Sequence, residues 1–121
     1  MNKLLALVLL LVSTLTWADN RSWTPEEQAR LATAAAVTVA DWSTTRDLSR
    51  RYNEGYHENN PILVKHPSTG RVDLYFVSAG LLGYAIADNL DQYRKPFLQT
   101  WTAVEIYYTN RNLNIGLRMK F

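Results

Sequence analysis

The sequence predicts a mainly α-helical domain: a cleavable leader, a two- to three-helix bundle with one long ordered loop, and a short extended C-terminal strand. Three observations carry this. Thr24-Pro25-Glu26-Glu27 combines a capping hydroxyl, a proline at the first helical position and a glutamate at the third, which satisfies the free N–H groups of a starting helix. No Gly or Pro interrupts residues 26–51, so nothing breaks a helix there for roughly seven turns. Gly55, Pro61, Pro67 and Gly70 then gather into one stretch between two apolar segments, the punctuation of a loop.

The leader comes first. Met1-Asn2-Lys3 carries one positive charge, Leu4 to Val12 is unbroken and apolar, and Thr16-Trp17-Ala18 ends in a small residue, the three parts of a secretory signal peptide. The run is shorter than the ~20 apolar residues of a membrane span. Cleavage after Ala18 divides the 121 residues into a signal peptide, 1–18, and a single domain, 19–121, of 103 residues; an uncleaved anchor is the competing reading. Without cysteine, the domain has no disulfide framework, thiolate metal site or cysteine nucleophile.

Within the first helix, Leu31, Ala35, Val39 and Trp42 form an apolar edge, while Thr38, Asp41 and Thr45 form a polar stripe at helical spacing. Asp47 and Arg51 are spaced as an ordinary surface ion pair, and Asn53-Glu54-Gly55 suits the stop. The following loop carries Glu58-Asn59-Asn60-Pro61 and an apolar plug, Ile62-Leu63-Val64. A loop this long is functional or disordered as a rule, and three consecutive aliphatic residues argue for order. Ser68 caps a second helix running to about Asn89. Its 14 uncharged residues, Leu74 to Ala87, place Ala79, Gly83 and Ala87 four apart, a face against which another helix or a second copy can approach closely. Burial in a core and insertion in a membrane both fit that stretch, though it falls short of a confident span.

Pro96 suits the first turn of a third helix with Phe97, Trp101, Val104 and Tyr108 along one stripe; a hairpin turning at Asn110-Arg111-Asn112 competes with it. Leu113, Ile115, Leu117, Met119 and Phe121 alternate with polar or small residues, which predicts an extended terminal strand. A terminal aromatic on such a strand is like the last strand of an outer-membrane barrel, but the helical upstream sequence disagrees.

Thirteen Lys and Arg against 11 Asp and Glu exclude a general nucleic-acid binder. The charge is uneven: residues 94–121 hold five basic residues and Glu105 alone, so this end could meet an anionic lipid surface or an acidic partner. Among chemical constellations there is no nucleophile elbow, phosphate-binding loop or His-Glu-x-x-His. His57, Glu58 and His66 match no metal-ligand spacing, so neither metal nor cofactor is expected. The more informative group is Asp41, Thr45, Arg46, Glu58, Asn60 and Glu105. Asp41, Thr45, Arg46 and Glu105 would form a buried polar network between stacked helices. Chemistry would instead need Asp41, Glu58, His66 and Glu105 to converge on a pocket, where two carboxylates could divide acid and base roles on a glycan.

Asp41-Trp42-Ser43-Thr44-Thr45-Arg46, Glu58-Asn59-Asn60-Pro61-Ile62-Leu63, Lys65-His66-Pro67-Ser68 and Tyr75-Phe76 together resemble a family of small, uncharacterised exported proteins of bacteria and their phages. The resemblance covers about residues 38–121 and implies a helical, membrane-associated protein with no activity attached. Val64 stands where that pattern has glycine, which implies a different turn. The sequence is thus read as an exported protein of the periplasm or cell envelope with a structural or interaction role. Its partner would be an envelope protein, a lipid surface or a second copy. Tyr56, Glu58, Asn60, Pro61, Ile62 and Leu63 would form the contact loop. The alternatives are a small envelope enzyme and an integral inner-membrane protein.

Overall fold

The computed structural model describes residues 23–121, and its backbone is dominated by α1 (Pro25–Arg50), α2 (Thr69–Asn89) and α3 (Arg94–Asn114). The leader lies outside the described residues. The expected helix starts hold. Thr24 Oγ1 accepts from Glu27 N at 3.1 Å, and Glu27 Oε2 accepts from Thr24 N at 2.9 Å, a closed capping box. Ser68 Oγ accepts from Arg71 N at 3.2 Å and caps α2.

α1 is the central element. Trp23 bonds Asp88 and Trp42 bonds Asp73, so α2 runs antiparallel to it; Glu27 pairs with Arg94 and Asp41 with Asn112, so α3 runs parallel. Along the edge that α1 buries lie Glu27, Leu31, Ala34, Thr38, Asp41, Thr45 and Leu48, alternating by four and three residues as helix packing requires. Four of those seven are polar. Apolar packing therefore divides into two clusters: Trp23, Leu31, Ala87 and Leu98 near the start of α1, and Trp42, Leu63, Val72 and Phe76 beyond its middle.

Two of the three small residues on one face of α2, Gly83 and Ala87, pack inward. A Cβ on Gly83 would stand 2.8 Å from the Trp101 ring, and Ala87 is fully buried in the first cluster; Ala79 is half-buried. The loop from 51 to 68 is ordered as expected. It begins with a 3-10 turn at Tyr52–Glu54 closed by Gly55 at φ 95°, and Glu58 N donates to Lys65 O at 2.9 Å. Leu63 alone of the apolar plug reaches the core, 1% exposed, while Ile62 is 67% exposed. Val64 adopts φ 65°, a left-handed conformation unfavourable to a β-branched side chain.

Three expectations need correction. Residues 97–114 form a helix and no hairpin, but its inward residues are Leu98, Trp101, Glu105, Thr109 and Asn112; Val104 and Tyr108 are exposed. The stripe is displaced because Glu105 and Asn112 find partners in α1, which outweighs burial of two more apolar side chains. The terminal strand does not form: α3 takes residues up to Asn114, and among the described residues no strand is present. The tail instead gives Leu117 N to Asn112 O and Arg118 N to Asp47 Oδ2, and of its alternating apolar residues Leu117 alone is buried. Finally, the Asp47–Arg51 pair, at 3.1 Å, is not a surface pair, because Asp47 is 3% exposed.

Replacing Val64 with Gly is expected to raise stability by about 1 kcal/mol in urea unfolding, since Gly adopts this φ without strain. Gly83→Val is expected to lower it by about 2 kcal/mol, because the added side chain displaces Trp101.

Candidate functional site

The polar residues of α1 and α3 meet in a small pocket beneath the loop. α1 supplies Asp41 and Thr45, one turn apart on its buried edge. α3 supplies Glu105 and Asn112, two turns apart on its inward face. The loop supplies Glu58 and Asn60, and Tyr75 of α2 closes the side. Asn112 Nδ2 donates to Asp41 Oδ1 at 3.1 Å and to Thr44 Oγ1 at 2.9 Å, and Thr45 Oγ1 donates to the same Asp41 oxygen at 3.3 Å. One turn away the Trp101 indole donates to Thr38 Oγ1 at 3.0 Å. The loop is shaped by its own acceptors: Glu58 Oε1 takes the N–H groups of Asn59 and Asn60, and Asn60 Oδ1 takes that of Ile62.

Asp41 is 8% exposed. Burial, then the adjoining Glu105, then the charge of Glu58 push its pKa up to about 9, against the opposing hydrogen bond from Thr45. Burial also raises Glu105, with the bonds to Asp41 and Trp101 acting the other way. The two carboxyl groups therefore hold one proton between them at neutral pH. Geometry agrees, because Glu105 Oε2 is buried without a hydrogen-bond donor, and a proton on Asp41 would supply one. Burial raises the Tyr75 phenol as well, with Asn60 opposing and the three carboxylates adding to the rise.

The pocket has a volume of about 60 Å³. That accommodates a few water molecules, whereas sites for organic ligands occupy roughly 300–1,000 Å³. As it stands, the arrangement can store a proton and hold α1, α3 and the loop in register. It has no room for a sugar ring between the carboxylates.

Of the residues the sequence singles out, Asp41, Thr45, Glu58, Asn60 and Glu105 come together. Arg46 turns away and places Nη1 2.7 Å from both carboxylate oxygens of Asp73, which also accepts from the Trp42 indole at 2.8 Å. Asp73 thus joins the polar framework from α2. His66 is exposed beside Tyr52, with ring centroids 5.7 Å apart, and lies outside the pocket. Tyr56 is half-buried against the Arg51 guanidinium, and its hydroxyl donates to Ile115 O at 3.1 Å. Pro61 and Ile62 are exposed, and Leu63 forms part of the pocket floor. Among the described residues, no group of three His, Cys, Asp or Glu is disposed to hold a metal ion.

Asn112 and Tyr75 are essential to the pocket and escape sequence reasoning. Asn112 sits in a turn-like Asn-Arg-Asn run, and Tyr75 reads as one aromatic residue in a core helix; only the pairing of helices gives them partners. A second apparatus at the opposite end was equally hidden. Arg94, 2% exposed, lies 3.2 Å from Glu27 and over the Trp23 ring, and donates to the Ala87 carbonyl. Compared with known protein families, curated proteins and solved structures, the chain matches none.

Protonation of the Asp41–Glu105 pair makes stability depend on pH. The folded pKa lies above the unfolded value of 3.8, so this contribution is complete below the unfolded value and is lost as pH rises towards 9. Across that window stability should fall steadily as pH rises. Glu26 and Glu54 are held low chiefly by Lys95 and Arg51, so what they contribute is lost only in more acidic solution. Urea unfolding at pH 5.5 should require more denaturant than at pH 7.5, and Asp41→Asn should flatten the difference while keeping the fold.

Proposed function

We propose that the chain is an exported structural or interaction protein of the cell envelope, with its polar pocket serving as an internal fastener. The observation that carries this reading is the amount of apolar side chain left outside. Among the described residues, sixteen large hydrophobic side chains are exposed against eleven apolar residues buried. Exposed apolar area of this kind marks contact surfaces when it is contiguous. Here it is: Ile62, Leu74 and Leu82 are 67%, 68% and 62% exposed, and with Arg71 and Ala79 they line an open groove of about 770 Å³ along α2 and the loop.

The enzyme alternative has the carboxylates it needs but, at about 60 Å³, no volume for a glycan between them. For the membrane alternative, no helix among the described residues is long and apolar enough to cross a bilayer. Export is supported by the leader pattern in residues 1–18.

Fractionation of expressing cells with N-terminal sequencing tests the proposal. The expected product begins at Asp19 and is recovered with the envelope. Leu74→Asn with Leu82→Asn should weaken its retention in that fraction without lowering its unfolding temperature, because both residues are solvent-facing. A product retaining Met1 and diffusing freely in the cytosol would overturn the proposal.

A further inference from the structure

The two ends of the bundle differ in how their charges are used. At the end where α1 and α3 begin, every cation among the described residues is paired: Arg30 and Lys95 with Glu26, and Arg94 with Glu27. At the other end meet the last turn of α1, the loop, the first turn of α2, and the end of α3 with its tail. Hydrogen bonds hold these segments together: Arg50 to Lys120 O, Arg51 to Gly116 O and Ser49 to Thr69. Arg46 and Arg51 are paired there, with Asp73 and with Asp47 and Glu54. Arg50, Lys65, Arg71, Arg111, Arg118 and Lys120 are not in any ion pair among the described residues, and all but Arg111 are exposed.

Across residues 46–73 and 109–121 there are eight Lys and Arg against four Asp and Glu; the remainder of the described chain holds three against six. Interspersed with the free cations are Ile62, Val64, Met119 and Phe121, 67%, 42%, 54% and 49% exposed. Long basic side chains around apolar tips suit the boundary between lipid headgroups and acyl chains, where the charges meet phosphates and the tips leave water. The cations come from four chain segments, so their natural counterpart is broad and anionic over its whole extent.

Resting on the envelope reading above, we infer that this basic end docks on the surface of an anionic phospholipid bilayer, with Ile62, Val64, Met119 and Phe121 entering the interface. Each cation near such a surface strengthens binding about fivefold, and salt weakens it as the screening length falls to about 3 Å at 1 M.

The test is co-sedimentation of the exported protein, purified as the cell processes it, with vesicles of equal parts phosphatidylglycerol and phosphatidylcholine, and with phosphatidylcholine alone. Binding should require the anionic lipid and be reversed by molar salt. Replacing Lys65, Arg71 and Lys120 together by Gln should weaken it about a hundredfold, while Lys95→Gln at the opposite end should leave it unchanged. All four substitutions in these two variants remove exposed or half-exposed side chains, and an unchanged thermal unfolding curve checks the fold. Equal binding to both vesicles, or none to the anionic ones, would overturn the inference. So would sedimentation velocity showing a dimer that the triple substitution dissolves, which would assign the surface to a second copy. A protein that is exported and envelope-bound yet ignores these vesicles would overturn the lipid assignment and leave the interaction role standing.

Discussion

Burial of polar side chains along α1 is the constraint on which the arrangement of the other elements depends. Glu27, Thr38, Asp41 and Thr45 occupy positions on its inward edge that most bundles give to aliphatic residues. An unpartnered polar group there costs about 1–3 kcal/mol, and a carboxylate more. Three of the four find a counterpart on α3, Arg94 for Glu27, Trp101 for Thr38, and Asn112 with Glu105 for Asp41, while Thr45 bonds Asp41 on α1 itself. Three such pairings at separate heights leave α3 one parallel alignment. A slide by one turn would break all of them, where an apolar seam would merely repack. Networks of this type add little net stability and much discrimination between registers.

The consequence is a shortage of apolar burial elsewhere. The two hydrophobic clusters are separated by the polar seam, and α2 touches α1 mainly through Trp42, Val72 and Phe76 at one end and Ala87 at the other. Asp73 supplements that contact by bonding both Trp42 and Arg46, while further along α2 Val77 packs on the second cluster, Gly83 meets Trp101 and Tyr84 stacks on Trp23. Its outward side keeps Leu74, Leu81, Leu82 and Ile86 in solvent. The apolar exterior is thus the counterpart of the polar interior.

The helices were legible because their signals are local. Thr24 with Pro25 and Glu27, and Ser68, specify starts through hydrogen bonds to residues three positions away, and these form whatever the tertiary context. The polar stripe of Thr38, Asp41 and Thr45 was visible from spacing alone. Its partners were not, since nothing in residues 105–112 reveals which face α3 turns inward until α1 is beside it. The sequence groups Arg46 with Asp41 in one network, yet five residues along a helix carry it around to the α2 side, where Asp73 pairs with it. The C-terminal alternation failed as a strand signal for a related reason. A period of two buries one face only when a neighbouring edge can accept the backbone, and here α3 claims the first residues while Asp47 takes the Arg118 N–H.

Asp47 shows how the same economy extends to the basic end. Its buried carboxylate accepts from both Arg51 and the tail, and Arg51 in turn reaches Glu54, Gly116 and the Tyr56 ring. One acid and one base thus organise the loop, the turn after α3 and the tail. Their charges are matched internally, and the cations left over are those without an acidic partner among the described residues, although Arg50 and Arg71 still bond the carbonyls of Lys120 and Ile62. Among the described residues the opposite end has none to spare: Arg94 is 2% exposed and Lys95 is tied to Glu26. The polarity of the molecule is therefore a by-product of which charges the fold needs, and it leaves the free ones on the side where the apolar loop and tail emerge.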